Sequence, residues 1–169
     1  TSPRTTLTDT FSQSYRVNEP VNLIINHQVG RITVQTGRPD EVRLEATKEA
    51  QAVGDSSARR LLEQIRVAVT VSGNEVRIET TSPKNLINQS VKVDLIFIVP
   101  PHTNVDLRND VGDITIEGIE GRVQATNNVG KIKLQDVTLT GSSDVSTDVG
   151  EVGFSGQLPA QGQLSLKAD

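Results

Sequence analysis

The chain has no cysteine, which excludes disulfides, thiolate metal sites and cysteine nucleophiles and leaves burial alone to hold the fold. That absence does not fix the compartment, since an exported bacterial domain can do without disulfides and a cytosolic one usually does. Aromatic residues are nearly as scarce, at 2%, against a hydrophobic content of 34%. A core must then be built from Val, Ile and Leu, which suits thin, layered β structure. Long apolar runs are missing too: the longest, Leu95 to Val99, is far short of the ~20 residues a membrane helix needs. Nor is there an excess of positive charge. Lys and Arg number 17 against 21 Asp and Glu, and the net charge of -4 with interspersed signs argues against a nucleic-acid partner, which needs a basic surface. At 169 residues the chain is expected to form one domain.

What the sequence has is a phrase written four times. Val111-Gly112-Asp113-Ile114-Thr115-Ile116 returns as Val29-Gly30-Arg31-Ile32-Thr33-Val34, Val129-Gly130-Lys131-Ile132-Lys133-Leu134 and Val149-Gly150-Glu151-Val152-Gly153-Phe154. Six and four positions before each Val-Gly pair stands a strand-like pair: Leu23 and Ile25, Val105 and Leu107, Val123 and Ala125, Ser143 and Val145. In the second half these pairs begin at 105, 123 and 143, and Leu164 with Leu166 reads as the opening of a further copy cut off at Asp169. Self-similarity near 20 residues is the mark of a solenoid, in which equivalent positions of successive rungs stack roughly 4.8 Å apart. The inward columns are expected to be Val111/Val129/Val149, Ile114/Ile132/Val152 and Ile116/Leu134/Phe154. Gly30, Gly112, Gly130 and Gly150 are expected at corners where a side chain would block the bend or the adjoining backbone. The outward column Asp113, Lys131, Glu151 alternates in sign, so neighbouring rungs should attract.

The remainder reads as strands around one helix. Phe11 to Val17 shows partial period-two alternation, after a polar lead-in from Thr1 to Gln13 that reads as a trimmed start from which an export signal has been removed. Val21, Leu23 and Ile25 resume the alternation, and Val42, Leu44 and Ala46 form the next strand. A short helix over 55–65 carries Ala58, Leu61, Leu62 and Ile65 on one face, with Asp55, Ser56 and Ser57 as acceptors at its start. Ile65 to Val71 and Val76 to Ile78 form a hairpin around Ser72-Gly73-Asn74. Val91 to Val99 is the longest expected strand, and Ile96 with Ile98 predicts that its second half is buried on both faces. Pro100-Pro101 ends it. The predicted fold class is therefore all-β: a short parallel β-solenoid over 101–169, joined to N-terminal strands, a hairpin and one short α-helix over 1–100. The alternative is a two-sheet β-sandwich in which the same phrases form meandering strands.

Candidate sites are few. Asn109-Asp110, Asn127-Asn128 and Thr147-Asp148 could offer stacked oxygens to a hard cation such as calcium, but Asn, Asp and Thr are also the residues of turns, which is the favoured reading. Asp110 and Asp148 are a conceivable carboxylate pair for polysaccharide cleavage, with a rung carrying Asn128 between them. His27 and His102 have no ligand or nucleophile spacing and read as surface histidines. Ser142-Ser143-Asp144 lacks the glycines of a nucleophile elbow and reads as a loop. Gly37 to Asp40 is followed by neither a helix nor a Lys-Ser/Thr pair, so it is no phosphate loop. Asn88-Gln89-Ser90 matches a glycosylation acceptor, a tripeptide frequent by chance. No catalytic, cofactor or metal residues are assigned, and no cofactor is expected.

The repeated Val-Gly-x-Ile-x-Ile units preceded by Asn or Asp, the helix-hairpin segment from Ser57 to Thr81 and the strand ending Val-Pro-Pro resemble the adhesin-like β-strand-repeat family of bacterial proteins, similar in style to autotransporter adhesin head domains. The resemblance covers the chain from about Tyr15 onward. It implies an exported or membrane-associated β domain without an established catalytic site, and it carries no functional residues across. The expected function is thus a non-catalytic, extracytoplasmic adhesin-like, surface-binding or scaffold domain. Its partners would be a cell-surface protein or polysaccharide, with self-association through the C-terminal edge. The alternatives are a carbohydrate-active β-helix enzyme and an envelope-stress sensor or scaffold.

Overall fold

The computed structural model describes residues 3–84, 86–158 and 163–168. Strand β1 (Arg4–Arg16) is followed by β2 (Val21–Asn26), β3 (Ile32–Thr36), β4 (Glu41–Val53), helix α1 (Asp55–Glu63), β5 (Arg66–Ser72), β6 (Glu75–Thr81) and β7 (Ser90–Val99). The second half contains β8 (Thr103–Val111), β9 (Ile114–Glu117), β10 (Glu120–Gly121), β11 (Val123–Val129), β12 (Ile132–Leu139), β13 (Ser142–Val149), β14 (Val152–Gln157) and β15 (Gln163–Ala168). The strands form two sheets. The first runs β1-β4-β7-β3-β9-β12, with β10 and β14 both pairing β12; the second runs β15-β13-β11-β8-β2-β6-β5.

The all-β expectation holds, and two sheets are present, as in the sandwich alternative. Within the repeats, however, the strands do not meander. Each Val-Gly phrase crosses from the second sheet to the first, and its strands lie parallel to those of the neighbouring phrases. Val123 pairs with Val105 and Ala125 with Leu107 in one sheet; Ile132 pairs with Ile114 on one side and Val152 on the other in the other sheet. Leu164 and Leu166 take the same register against Ser143 and Val145. Period-two alternation then puts Val21, Leu23, Ile25, Val105, Leu107 and Val123 inside, where they join the inward residues of the first sheet in one buried cluster. Ile114, Ile116, Ile132 and Leu134 are all within it, and Val152 and Phe154 pack against its edge half-buried. With so few aromatics, Phe97 is the largest fully buried side chain.

Antiparallel pairing is confined to the N-terminal end, at β1–β4, β4–β7 and β5–β6. There the polar lead-in does more than the sequence indicates: β1 pairs β4 from Arg4↔Val53 to Arg16↔Glu41. Its Thr and Ser side chains show little alternation because only Leu7, Phe11 and Tyr15 are drawn toward the interior, and β1 is an edge strand. Helix α1 buries Ala58 and Leu61 and packs on β4 and β1. It ends at Glu63, short of residue 65, and opens after Gly54 with no side-chain cap; the Asp55 carboxylate instead accepts a hydrogen bond from Thr5 Oγ1 at 2.9 Å. The second half of β7 is also not buried on both faces. Phe97 and Val99 point inward, but Ile96 is 37% exposed and Ile98 only half-buried, because no layer covers the outer face of the first sheet there.

Candidate functional site

Four chemical columns meet at the rim where the chain crosses between the sheets. The first is glycine. Gly30, Gly112, Gly130 and Gly150 have φ of 136°, 140°, 134° and 148°, a region that favours a residue without Cβ. A Cβ placed on Gly112 would fall 1.9 Å from Gly30 O, on Gly130 2.1 Å from Gly112 O, and on Gly150 2.0 Å from Gly130 O. Backbone therefore sits against backbone down the whole column.

The second column follows from the first. The ladder runs from each glycine N–H to the valine carbonyl of the next rung, as in Gly112 N to Val129 O at 2.9 Å, and then resumes from Ile114 N to Lys131 O at 2.8 Å. The glycine carbonyl is skipped by this ladder and faces the interior, so it needs an inward donor. Asn127 Nδ2 donates to Gly112 O at 2.8 Å, and Thr147 Oγ1 donates to Gly130 O at 2.9 Å. His27 does the same one rung earlier: Nε2 donates to Val93 O at 2.7 Å. A carbonyl can only accept, so Nε2 carries the proton and Nδ1 accepts from the Thr80 hydroxyl. Asn109 stands between His27 and Asn127 in the same column, and its amide atoms have no partner within the protein.

These side chains correct three expectations. Asn109, Asn127 and Thr147 are not turn residues: they lie within β8, β11 and β13 and are buried, at 3%, 0% and 1% exposure. His27 is buried rather than at the surface, while His102 is open to solvent with Nδ1 3.5 Å from Glu120 Oε2. The valines before the glycines leave the core. Val111, Val129 and Val149 are 44%, 44% and 60% exposed, because the positive-φ glycine turns the chain away just as alternation would send the side chain in. They stack in register as an apolar ridge along the rim.

The buried imidazole gives a pH prediction. Desolvation by burial lowers the His27 pKa, opposed by its hydrogen bond to Val93 and by the Asp94 and Asp110 carboxylates. Its folded value thus lies below the unfolded value of about 6.5, so the unfolded chain binds the extra proton first. Stability from this residue should be complete above that value and decline as pH falls from it toward the lowered folded value. Urea midpoints at pH 7.5 and 5.5 should show the decline in the native chain and in His102→Gln, and a much smaller one in His27→Gln.

The third column carries charge. Asp94, Arg31, Asp113, Lys131 and Glu151 follow one another across the first sheet, as the pairings of their neighbours place them. The carboxylates bind backbone rather than the adjacent cations: Asp94 Oδ1 accepts from Arg31 N and Asp113 Oδ1 from Lys131 N, each at 3.0 Å. On the outer face of the second sheet, Asp110, Asn128 and Asp148 form the fourth column, where Asn128 Nδ2 donates to Asp110 Oδ1 at 3.2 Å. Two rung spacings put Asp110 and Asp148 on the order of 10 Å apart, beyond the roughly 5–5.5 Å of a retaining glycosidase pair and at the limit of an inverting one. Ser142 to Asp144 open strand β13 rather than forming a loop, and Ser143 Oγ accepts from Val123 N at 3.0 Å. Asn88 is exposed with φ of 56°, just before β7.

The rest of that outer face is polar and open. Glu79, Asn26, Arg108, Thr126, Ser146 and Lys167 lie side by side across it. Beside them Asn104 Nδ2 donates to Asn22 Oδ1 at 3.1 Å, and Arg122 N donates to Asn104 Oδ1 at 2.8 Å. The groove they share with Glu75, Asp106 and Gln124 holds about 170 Å³, below the roughly 300–1,000 Å³ of small-molecule pockets. Among the described residues no group of three or more His, Cys, Asp or Glu is placed to hold a metal, and no helix is long and apolar enough to cross a membrane.

No protein-family model matches the chain, and no curated protein gives a significant match. Solved structures do. A candidate cell adhesion protein from Clostridium sporogenes ATCC 15579 is 11% identical with a TM-score of 0.47, over 95% of this chain and all of that one (100%). A candidate adhesin from Bacteroides fragilis NCTC 9343 is 14% identical with a TM-score of 0.26, over 95% of this chain and 97% of that one. A candidate adhesin from Parabacteroides distasonis ATCC 8503 is 13% identical with a TM-score of 0.29, over 95% and 78%. Values this low carry no argument about what the chain binds.

Proposed function

We propose that the chain is a non-catalytic, extracytoplasmic surface-binding module of adhesin-like type, built as a short parallel β-solenoid, whose contact surface is the outer face of the second sheet. The observation that carries this reading is the unbroken run of polar columns across that sheet. Parallel strands spaced roughly 4.8 Å apart repeat the same outward positions, so one extended polymer can meet similar amide, hydroxyl and charged groups at every rung. A surface polysaccharide or an extended protein segment fits such a face better than a small molecule, because the grooves on it are shallow. The sequence resemblance to adhesin-like strand repeats points the same way.

Arg108 stands near the middle of the face with its side chain exposed, so its charge can be reversed without disturbing the core. Binding of the labelled chain to immobilised polysaccharides and to intact bacterial and host cells should weaken about tenfold in Arg108→Glu, the order of loss expected for an arginine anchor. Binding unchanged by Arg108→Glu would sink the assignment of this face. Turnover of a polysaccharide that disappears in Asp110→Ala or Asp148→Ala would replace it with the enzyme reading. Capture of one specific membrane protein through the same face would favour an envelope-stress scaffold instead.

A further inference from the structure

The two sheets do not end level. The first finishes at β14, which pairs only β12, while the second extends one strand further to β15, which pairs only β13, among the described residues. The end of the molecule is therefore a step, half a rung high. Its riser is apolar: Leu166 is 44% exposed, and Val152, Phe154 and Leu164 are half-buried against the end of the core. The N-terminal end is different, closed by antiparallel strands and by α1. Free strand edges pair readily with other strands, and exposed apolar surface beside them adds to the tendency.

We propose that this step is a homodimer interface, in which β15 of each copy lies antiparallel beside β14 of the other. A half-rung step is complementary to itself under a two-fold rotation. The projecting β15 of one copy occupies the level that the first sheet of its partner leaves open, and the same exchange happens on the opposite side. The register is fixed by matching side chains. With Phe154 opposite Leu164 of the second copy, Val152 falls opposite Leu166, and both apolar pairs face the shared interior. On the outer face that register sets Glu151 opposite Lys167 and Gly153 opposite Ser165. Charge complementarity thus agrees with apolar matching in a single alignment, and symmetry makes each pair twice. This inference concerns the strand edges and is independent of what the polar face binds.

Sedimentation of the 169-residue chain from about 1 to 100 μM tests it. A species of twice 18.2 kDa is expected at the upper end. Leu166→Lys should return the chain to monomer, and its exposed position means the fold survives, as circular dichroism would verify. Lys167→Glu should weaken dimerisation about tenfold, and Glu151→Lys combined with Lys167→Glu should restore it, since two interface ion pairs are lost and then rebuilt reversed. A monomer throughout the range overturns the proposal, as does a dimer indifferent to Leu166→Lys. Open-ended polymers growing with concentration overturn the closed two-fold arrangement. Failure of the charge swap to rescue overturns the register.

Discussion

Gly112→Ala is expected to prevent folding, although it adds a single methyl group. The new Cβ would lie 1.9 Å from Gly30 O and 2.6 Å from Gly30 C, distances that no real Cβ contact reaches. The obstacle is backbone belonging to the neighbouring rung, so no rotamer change relieves it. Gly30 is itself tied into the ladder through its N–H to Val111 O at 2.9 Å. Separating the rungs would break hydrogen bonds in both sheets, and a loss above about 4 kcal/mol removes most of the stability of an ordinary domain. Two further substitutions isolate the cause. Gly73→Ala keeps a positive φ of 61° with nothing within 4 Å, so it should cost only the conformational term, about 1–2 kcal/mol. Gly153→Ala has open space and no such φ, and should stay within about 0.5 kcal/mol. Soluble yield and urea midpoints of the three should rank in that order. A Gly112→Ala protein no less stable than Gly73→Ala would mean that the corners do not stack as closely as they are drawn.

How far the sequence discloses this arrangement depends on which residue is asked. Leu23, Ile25, Val105, Leu107, Val123 and Ala125 announce themselves because alternation and burial agree, and the spacing of the phrases places Ile114 over Ile132. The pattern misleads where geometry changes within one residue. Val111 continues the alternation inward, yet the glycine after it redirects the chain and leaves the side chain at the rim. The buried polar column is missed for the opposite reason. Asn109, Asn127 and Thr147 carry the composition of turns, and nothing local shows that the carbonyl of a neighbouring rung faces inward beside them. The signal is nonetheless present. Alternation carried two residues beyond each apolar pair lands on His27, Asn109, Asn127 and Thr147, so a polar side chain recurs two positions before every glycine corner. Strand β1 is obscured because edge strands are tolerant of Thr and Ser, and its partner β4 is set by tertiary pairing rather than by its own residues.

Asn127→Asp should invert the pH response of the whole chain. Asn127 is fully buried, and its Nδ2 donates to Gly112 O at 2.8 Å. An aspartate of nearly the same shape would set a carboxylate oxygen against that carbonyl, with no cation in the column to offset it. Leaving a buried charge uncompensated costs about 3–5 kcal/mol, which is the destabilisation expected near neutral pH. Burial and the facing carbonyl would both raise the folded pKa of the new carboxyl above its unfolded value of about 3.9. The folded state would then bind the proton first, so stability should rise as pH falls from neutral through the raised value, levelling below the unfolded one. Once protonated, the acid can again donate to Gly112 O. The native chain runs the other way between pH 7.5 and 5.5, where His27 loses its contribution. Asn26→Asp, on the exposed face beside Arg108, should change stability by no more than about 0.5 kcal/mol. Urea unfolding of the three proteins at pH 7.5 and 4.5 decides the matter. An Asn127→Asp protein that loses stability on acidification in step with the native chain would show that the inward amide column is not what receives the corner carbonyls.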